Sequence, residues 1–440
     1  MKRVLFACLL GVGLLSIGHA QSYYYLPGAK NFVPVVQGNR GAAMGGAYIA
    51  AARGADAILT NPAGLGFAEW GELQLGFGSE VFGSEESDED YYSDMGYDSY
   101  DQRIRFMPRV SRIGAAFPIN LEGSANIAAG ICYGKFLDFA GKSTVENRRS
   151  SVDTVGYYDD YIQYEERDYE STLKSTGGLK VIVPGFALII DEKYSFGLSY
   201  AFALGGEWLR LGEIDEKYHN WGSDYGDYYD TTYTVNTDYE GEYDTQTNGI
   251  LQLGATARPV EKISIGLVYT SGYTMDFEDG KEEWETNDSS NDYTLEDYDM
   301  EWPAVIGVGL AYHPSEEITL SAEFQSRPWS ELEIDDDELD DDIEDGNSLR
   351  FGLEYDNQSL SLRTGYINET YPILDDDEDM VKLNTLTAGI GIATDAVGLD
   401  FGVGYTFAGW ESSSQYDTNI NLLSIGAGGT YYFDMGSFGE

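Results

Sequence analysis

Along much of this 440-residue chain, large apolar side chains alternate with glycine, serine or other small and polar residues. A period of two puts the two kinds on opposite sides of an extended backbone, so the chain is committed to strands with unlike faces. The clearest run is Val397, Leu399, Phe401, Val403, Tyr405 and Phe407, set against Gly398, Asp400, Gly402, Gly404 and Thr406. The same pattern holds for Phe196, Leu198, Tyr200 and Phe202, for Ile263, Ile265, Leu267 and Tyr269, and for Leu73, Leu75 and Phe77. Alternation alone fits two architectures. A soluble sandwich turns the large face inward, whereas a membrane barrel turns it toward lipid and keeps the small or polar face for its lumen.

The connections separate the two. Short ones at 120–124, 191–194, 259–262, 314–317, 356–358 and 395–398 take turns with long ones near 83–102, 139–170, 206–245, 275–300, 330–347, 370–381 and 409–418. That rhythm gives about fourteen strands, with both chain ends on the short-turn side, as outer-membrane barrels have short periplasmic turns and long external loops. The predicted fold is therefore all-β, a transmembrane antiparallel β-barrel. Closing an even number of strands also leaves no open sheet edge.

Lys2 and Arg3, the apolar run 4–17 and the small residues Gly18, His19 and Ala20 form a secretory signal. The expected division is a signal peptide at 1–20, an N-terminal segment at 21–67 and the barrel at 68–440 in a bacterial outer membrane, surrounded by lipid and lipopolysaccharide. Cleavage after Ala20 leaves Cys132 without a second thiol, so no intramolecular disulfide is expected. No later apolar run reaches the roughly 18 residues of a membrane-spanning helix.

The chain carries 76 acidic and 26 basic residues, a formal net charge of -50, which excludes nucleic acid as a partner because phosphate binding needs clustered cations. The acids gather in the long connections: eight lie within 83–101, and 335–345 and 375–379 are almost continuous Asp and Glu. None has the spacing of a calcium loop, so neither a dedicated metal site nor a cofactor is expected. Loose bridging by divalent cations at these loops, including to lipopolysaccharide phosphates, is the remaining expectation.

Pro108, Pro184, Pro303 and Pro328 fall in predicted strands, where a residue without an N–H interrupts the ladder. The apolar face also changes register near Pro108, from Ile104 and Phe106 to Ile113, Ala115 and Phe117. Pro108 and Pro184 are thus candidates for a wall bulge or a lateral opening, and both meanings stay open.

Residues 38–67 do not read as barrel wall. Small residues dominate, Ala47 to Arg53 could form a short helix, and Asn61-Pro62 signals a turn. The string from Arg40 through Met44, Gly45, Gly46 and Tyr48, followed by Asp56, Asn61, Pro62, Ala63, Gly64 and Leu65, resembles the N-terminal signature of the FadL/TodX outer-membrane transport family. It is also similar to the related PorV-type barrels of type IX secretion systems. The resemblance implies a hatch inside a fourteen-stranded barrel, with Asn61, Pro62, Ala63 and Gly64 as its motif. It implies passive uptake of hydrophobic small molecules, with ligand leaving through a gap in the wall.

Two other functions are weighed against uptake. Catalysis by a His-based site has only His219 and His313 to draw on after the signal, so no enzyme and no catalytic residue is expected. A PorV-like barrel would instead dock or shuttle secreted proteins, using tyrosine-rich acidic loops as a rigid contact surface. As for ligand, the acidic mouth repels a fatty-acid anion, although screening over about 8 Å weakens that field, so neutral apolar compounds fit better. Gln74, Arg258, Glu323, Gln325, Arg350, Glu354, Arg363 and Asp400 are the expected lumen-facing polar residues, with their pairing left undetermined.

Overall fold

The computed structural model describes residues 39–434, apart from 89–108 and short breaks at 120, 122–123, 138, 140, 155–160, 225–226, 288, 336, 339–342, 376–378 and 414–415. The expected signal segment and Pro108 lie outside the described residues. Fourteen strands form the wall. The first seven are β1 (Gly71–Asp88), β2 (Arg109–Ile119), β3 (Ala125–Lys135), β4 (Tyr161–Ile190), β5 (Tyr194–Asp224), β6 (Ile250–Val260) and β7 (Ile263–Thr270). The others are β8 (Val305–Ser315), β9 (Ile318–Arg327), β10 (Gly346–Asp356), β11 (Leu360–Leu374), β12 (Met380–Ala393), β13 (Val397–Ser413) and β14 (Tyr416–Phe433). Each pairs antiparallel with the next, and β14 returns to β1 in register from Gly71 opposite Phe433 to Asp88 opposite Tyr416. The sheet is therefore closed.

The direction of the alternation settles what the sequence left open. On β4, Phe186 is 59 % exposed while its neighbour Ala187 is 5 % exposed. On β13, all six large residues from Val397 to Phe407 face outward. Leu73, Ile131, Leu198, Leu267, Leu310, Phe324, Phe351, Leu362 and Ile390 extend the same belt around the ring. Water would penalise so large a contiguous apolar surface, whereas hydrocarbon matches it. No helix among the described residues is long and apolar enough to cross a membrane. The crossing is made by strands.

The long connections are less loop-like than their composition suggests. β4 has 30 residues and β5 has 31, against the roughly 9–11 that a tilted strand needs to span a bilayer. Their upper halves continue past the membrane and gain partners there: 141–154 pairs with β4, and 227–247 pairs with β5. Residues 273–286 add to 227–247, and 290–294 and 298–302 add to 273–286. Much of 139–170, 206–245 and 275–300 is thus regular sheet. Tyr, Thr, Val and Trp recur between the acids there, and residues of these types favour extended backbone.

Residues 39–67 lie within the ring. They form one helical turn, α1 (Asn39–Ala43), and two 3-10 turns, Gly54–Leu59 and Pro62–Phe67. The helix expected over 47–53 is not there. Gly45, Gly46 and Gly54 take φ of 64°, 69° and 64°, which breaks helical continuity on both sides. The Tyr48 and Ile49 N–H groups donate to the Glu323 carboxylate of β9 instead of to carbonyls four residues earlier. Pro303 and Pro328 fall just beyond strand ends at Trp302 and Arg327, so neither interrupts a wall ladder.

Candidate functional site

The small inward face of the wall exists to admit backbone. A Cβ on Gly365 would collide with Gly45, one on Gly197 with Pro62 and Ala63, one on Gly254 with Asn61 and one on Gly266 with Ile49. These glycines sit on β11, β5, β6 and β7, so the segment is held closely from several sides at once. Between glycines, short polar side chains bind its backbone: Ser195 Oγ donates to the Ala63 carbonyl at 2.7 Å and Thr387 Oγ1 to the Ala43 carbonyl at 2.9 Å.

Asn61 is fully buried and joins three pieces of chain. Its Oδ1 accepts the Ala63 N–H at 3.2 Å, which caps the 3-10 turn begun by Pro62. Its Nδ2 donates to the Ile49 carbonyl at 2.8 Å and to Thr256 Oγ1 of β6 at 3.1 Å. Pro62, Ala63 and Gly64 are buried in the turn that follows, and a Cβ on Gly64 would press on Ala52. Asn61→Leu therefore removes these three hydrogen bonds from an enclosed site, and we expect a loss of about 1–3 kcal/mol in unfolding stability, read from urea titration of the folded barrel. An unchanged midpoint would show that these hydrogen bonds do not hold the turn.

Charged residues complete the attachment. Arg40 binds Glu354 of β10, with Nε to Oε1 at 2.8 Å, and Glu354 is shared with Arg363 of β11, which also contacts Asp400 of β13. Glu323 receives Arg350 Nη1 at 3.2 Å and Gln325 Nε2 at 2.6 Å besides the two segment N–H groups. Arg112 of β2 meets Asp56 and Gln74, and Glu72 of β1 accepts the Ala55 N–H at 2.9 Å. Arg258 stacks over Phe67 at 3.6 Å from the ring centre. The expected lumen residues are thus brought together, and the partners that the sequence did not supply lie mostly on the segment itself. A polar cleft lined by Arg40, Asp56, Gln74, Ser111, Arg112 and Asp400 runs between the segment and the wall.

Toward the long-connection rim the lining becomes aromatic. Beyond β3 the chain turns inward at Phe136, Leu137 and Phe139, where the Phe136 N–H donates to the Leu179 carbonyl at 2.7 Å. Phe139, Trp208, Tyr243 and Phe277 pack ring to ring with centroids 5.9–6.4 Å apart, and Tyr298 stacks on Phe277 at 4.5 Å. Burial pushes the Tyr298 phenol well above its ordinary range and that of Tyr239 up to about 12, so both stay neutral. These rings belong to one contiguous apolar core with Leu179, Val181 and Val183 of β4 and with Ile58 and Leu65 of the segment. Sequence reasoning missed them, because they sit in stretches read as acidic loops.

Pro184 lies in that region of the wall. Its pairing with Ile131 of β3 is intact, but on the β5 side Ile182 pairs with Phe202 and the next pair is Gly185 with Ser199. The ladder skips Val183 and Pro184, as a residue without an N–H requires. Between β1 and β2 the register slips by one residue at Ser111, three positions after Pro108.

The two histidines are far apart in the fold. His219 lies in the upper part of β5, 2.9 Å from Asp230, and His313 on β8 faces Thr319 at 3.1 Å and Ser264 at 3.5 Å. Among the described residues no three His, Cys, Asp or Glu side chains converge as metal ligands.

No protein-family model matches the chain, and no curated protein sequence matches it. Solved structures do. The chain is similar to the CymD monoaromatic hydrocarbon channel at 15% identity and a TM-score of 0.52, covering 92% of this chain and 99% of that one. It is similar to the toluene transporter TbuX of Ralstonia pickettii at 15% identity and a TM-score of 0.50, covering 90% and 98%. A FadL homologue of Pseudomonas aeruginosa matches at 11% identity and a TM-score of 0.54, again covering 90% and 98%. The closed ring, its outward apolar belt and these matches agree: the chain has the fold of the FadL/TodX-like outer-membrane β-barrels.

Proposed function

We propose that the chain is an outer-membrane channel for passive uptake of hydrophobic small molecules, with residues 39–67 acting as its hatch. The observation that carries this reading is the apolar core that runs from the aromatic cluster near the long-connection rim to the hatch and to Val183, beside the ladder gap at Pro184. Uptake needs such a route, because an apolar solute crosses the lipopolysaccharide layer poorly and gains from desolvation at each step. The similar barrels include a monoaromatic hydrocarbon channel and a toluene transporter, which supports the same solute class here. In this reading ligand enters among the rings, passes when the hatch shifts, and leaves between β4 and β5 into the membrane.

Proteoliposomes loaded with the purified barrel test it. With lipopolysaccharide in the outer leaflet, uptake of radiolabelled toluene should exceed that of liposomes of the same composition without the barrel, and Pro184→Val should reduce it several-fold, because valine restores the missing N–H and closes the ladder. Transport no faster than in empty liposomes would sink the uptake reading. Normal transport by Pro184→Val would move the exit elsewhere.

A further inference from the structure

The lumen is filled unevenly. On β7 to β10 the inward residues Gly266, Gly309, Glu323 and Gly352 are buried. A Cβ on any of those three glycines would stand 2.6–2.9 Å from the backbone of Met44, Ile49 or Ala50. On β13, β14 and β1 the inward residues Gly402, Ser424, Gly426, Gly428 and Gly78 stay partly exposed, although their neighbours Phe401, Ile425 and Phe77 are the ones that face outward. A Cβ on Gly78 would meet nothing nearer than 3.9 Å. The polar cleft between residues 39–67 and the wall lies on this flank. Its lining falls at one level of the sheet, since Gly76 pairs with both Arg112 and Gly428, and Gly428 pairs with Asp400. Side chains close the gap there instead of backbone. Arg112 reaches Asp56 and the Gln74 Oε1, and Gln74 Nε2 donates to Glu72 at 3.3 Å. Glu72, Gly398 and Thr430 just below are buried, so the chain from Arg112 through Gln74 to Glu72 is the constriction.

A gap walled by Arg, Asp, Gln and Ser keeps water, because each molecule finds hydrogen-bond partners there, whereas a void between apolar groups stays dry. We propose that this flank is an aqueous conduit for small inorganic cations, separate from the apolar route and open while residues 39–67 remain seated. The strands β1 to β3 stand between it and the ladder gap at Pro184 on β4. Charge sets its selectivity. Arg40 and Arg363 are engaged by Glu354, Arg363 also by Asp400, and Arg112 by Asp56. With Glu72 that makes four carboxyl groups to three guanidiniums, so the lining does not repel cations, and the acidic connections above concentrate them at the entrance. Passage through the constriction asks a side chain to change rotamer, which is a smaller step than lifting backbone from the glycine-lined seat on the other flank. The conduit goes beyond the uptake reading and does not depend on it.

The test is the current carried by the purified barrel in planar bilayers bathed in potassium chloride. The unmodified protein should show a small, steady conductance, and a salt gradient across the bilayer should give a reversal potential of the sign set by potassium. Gly426 pairs with Gly78 on one side and Gly402 on the other, so Gly426→Trp places a large ring where the flank is widest. It should lower the steady conductance several-fold and leave toluene uptake into lipopolysaccharide-bearing liposomes unchanged. Arg112→Ala, which opens the constriction, should raise the conductance several-fold. No steady conductance in the unmodified protein, chloride selectivity, or a current indifferent to Gly426→Trp overturns the proposal. Loss of toluene uptake together with the current in a folded Gly426→Trp barrel overturns the separation of the two routes. If that variant fails to fold, Gly78→Cys replaces it: a trimethylammonium-bearing methanethiosulfonate should block its current and spare the unmodified protein, whose Cys132 is 1 % exposed. Absence of block overturns the proposal. A steady cation current without any toluene uptake supports the conduit and removes the uptake reading.

Discussion

Replacing Glu323 with alanine is expected to unseat residues 39–67, the proposed hatch. This carboxylate accepts the Tyr48 and Ile49 N–H groups at 2.8 and 2.9 Å and pairs with Arg350, whose side chain is fully buried. Removing it leaves two buried N–H donors and a buried guanidinium short of acceptors, a loss of about 3–5 kcal/mol by the general cost of breaking an enclosed ion pair. The hatch bears most of that loss, because the wall ladder between β9 and β10 does not use the Glu323 side chain. Single-channel conductance in planar bilayers should rise at least tenfold in frequency of large openings, by the arithmetic of about 1.4 kcal/mol per decade. Glu323→Gln keeps one acceptor oxygen and should fall between. Wild-type conductance and an unchanged urea midpoint for Glu323→Ala would show that the hatch is held elsewhere.

Gly197→Leu should act on the opposite flank of the same element. The wall there touches the Pro62–Ala63 backbone so closely that even one carbon at the Cβ position collides. Backbone on backbone has no rotamer to yield, so the Asn61 turn must leave its seat, at a cost of about 1–3 kcal/mol or more for overpacking. The pairing of β5 with β4 and β6 through Gly197 is by main chain and should persist. The native thiol reports the change. Cys132 on β3 is 1 % exposed and belongs to the core shared with the hatch. Its labelling by a maleimide should be at least about tenfold faster in Gly197→Leu, following the same conversion of free energy to population. Gly429→Ala is the control, since a Cβ there meets nothing nearer than 3.5 Å. Equal labelling rates in all three proteins would refute the close packing of turn and wall.

The barrel was legible because its signals are local. Val397 to Phe407 alternate whatever lies next to them, and the turn at 191–194 is written in consecutive polar residues, so strand number and the order of short and long connections follow from the sequence. The motif drew attention to Asn61 but did not tell what its side chain holds: Ile49 and Thr256 carry no mark that pairs them with it. The acidic stretches misled in one respect, since 141–154 and 227–247 are sheet, and in the second of them the rings of Tyr239 and Tyr243 are buried among the acids.

By itself the sequence determined that the chain makes about fourteen two-faced strands, joined in alternation by short and long connections. The tertiary structure alone decided that the large face points outward, which charges meet, and where the wall admits residues 39–67. The physical reason is separation along the chain. Periodicity is a property of neighbours, whereas Arg40 reaches Glu354 across 314 residues, and only closure of the ring brings such groups within hydrogen-bonding distance.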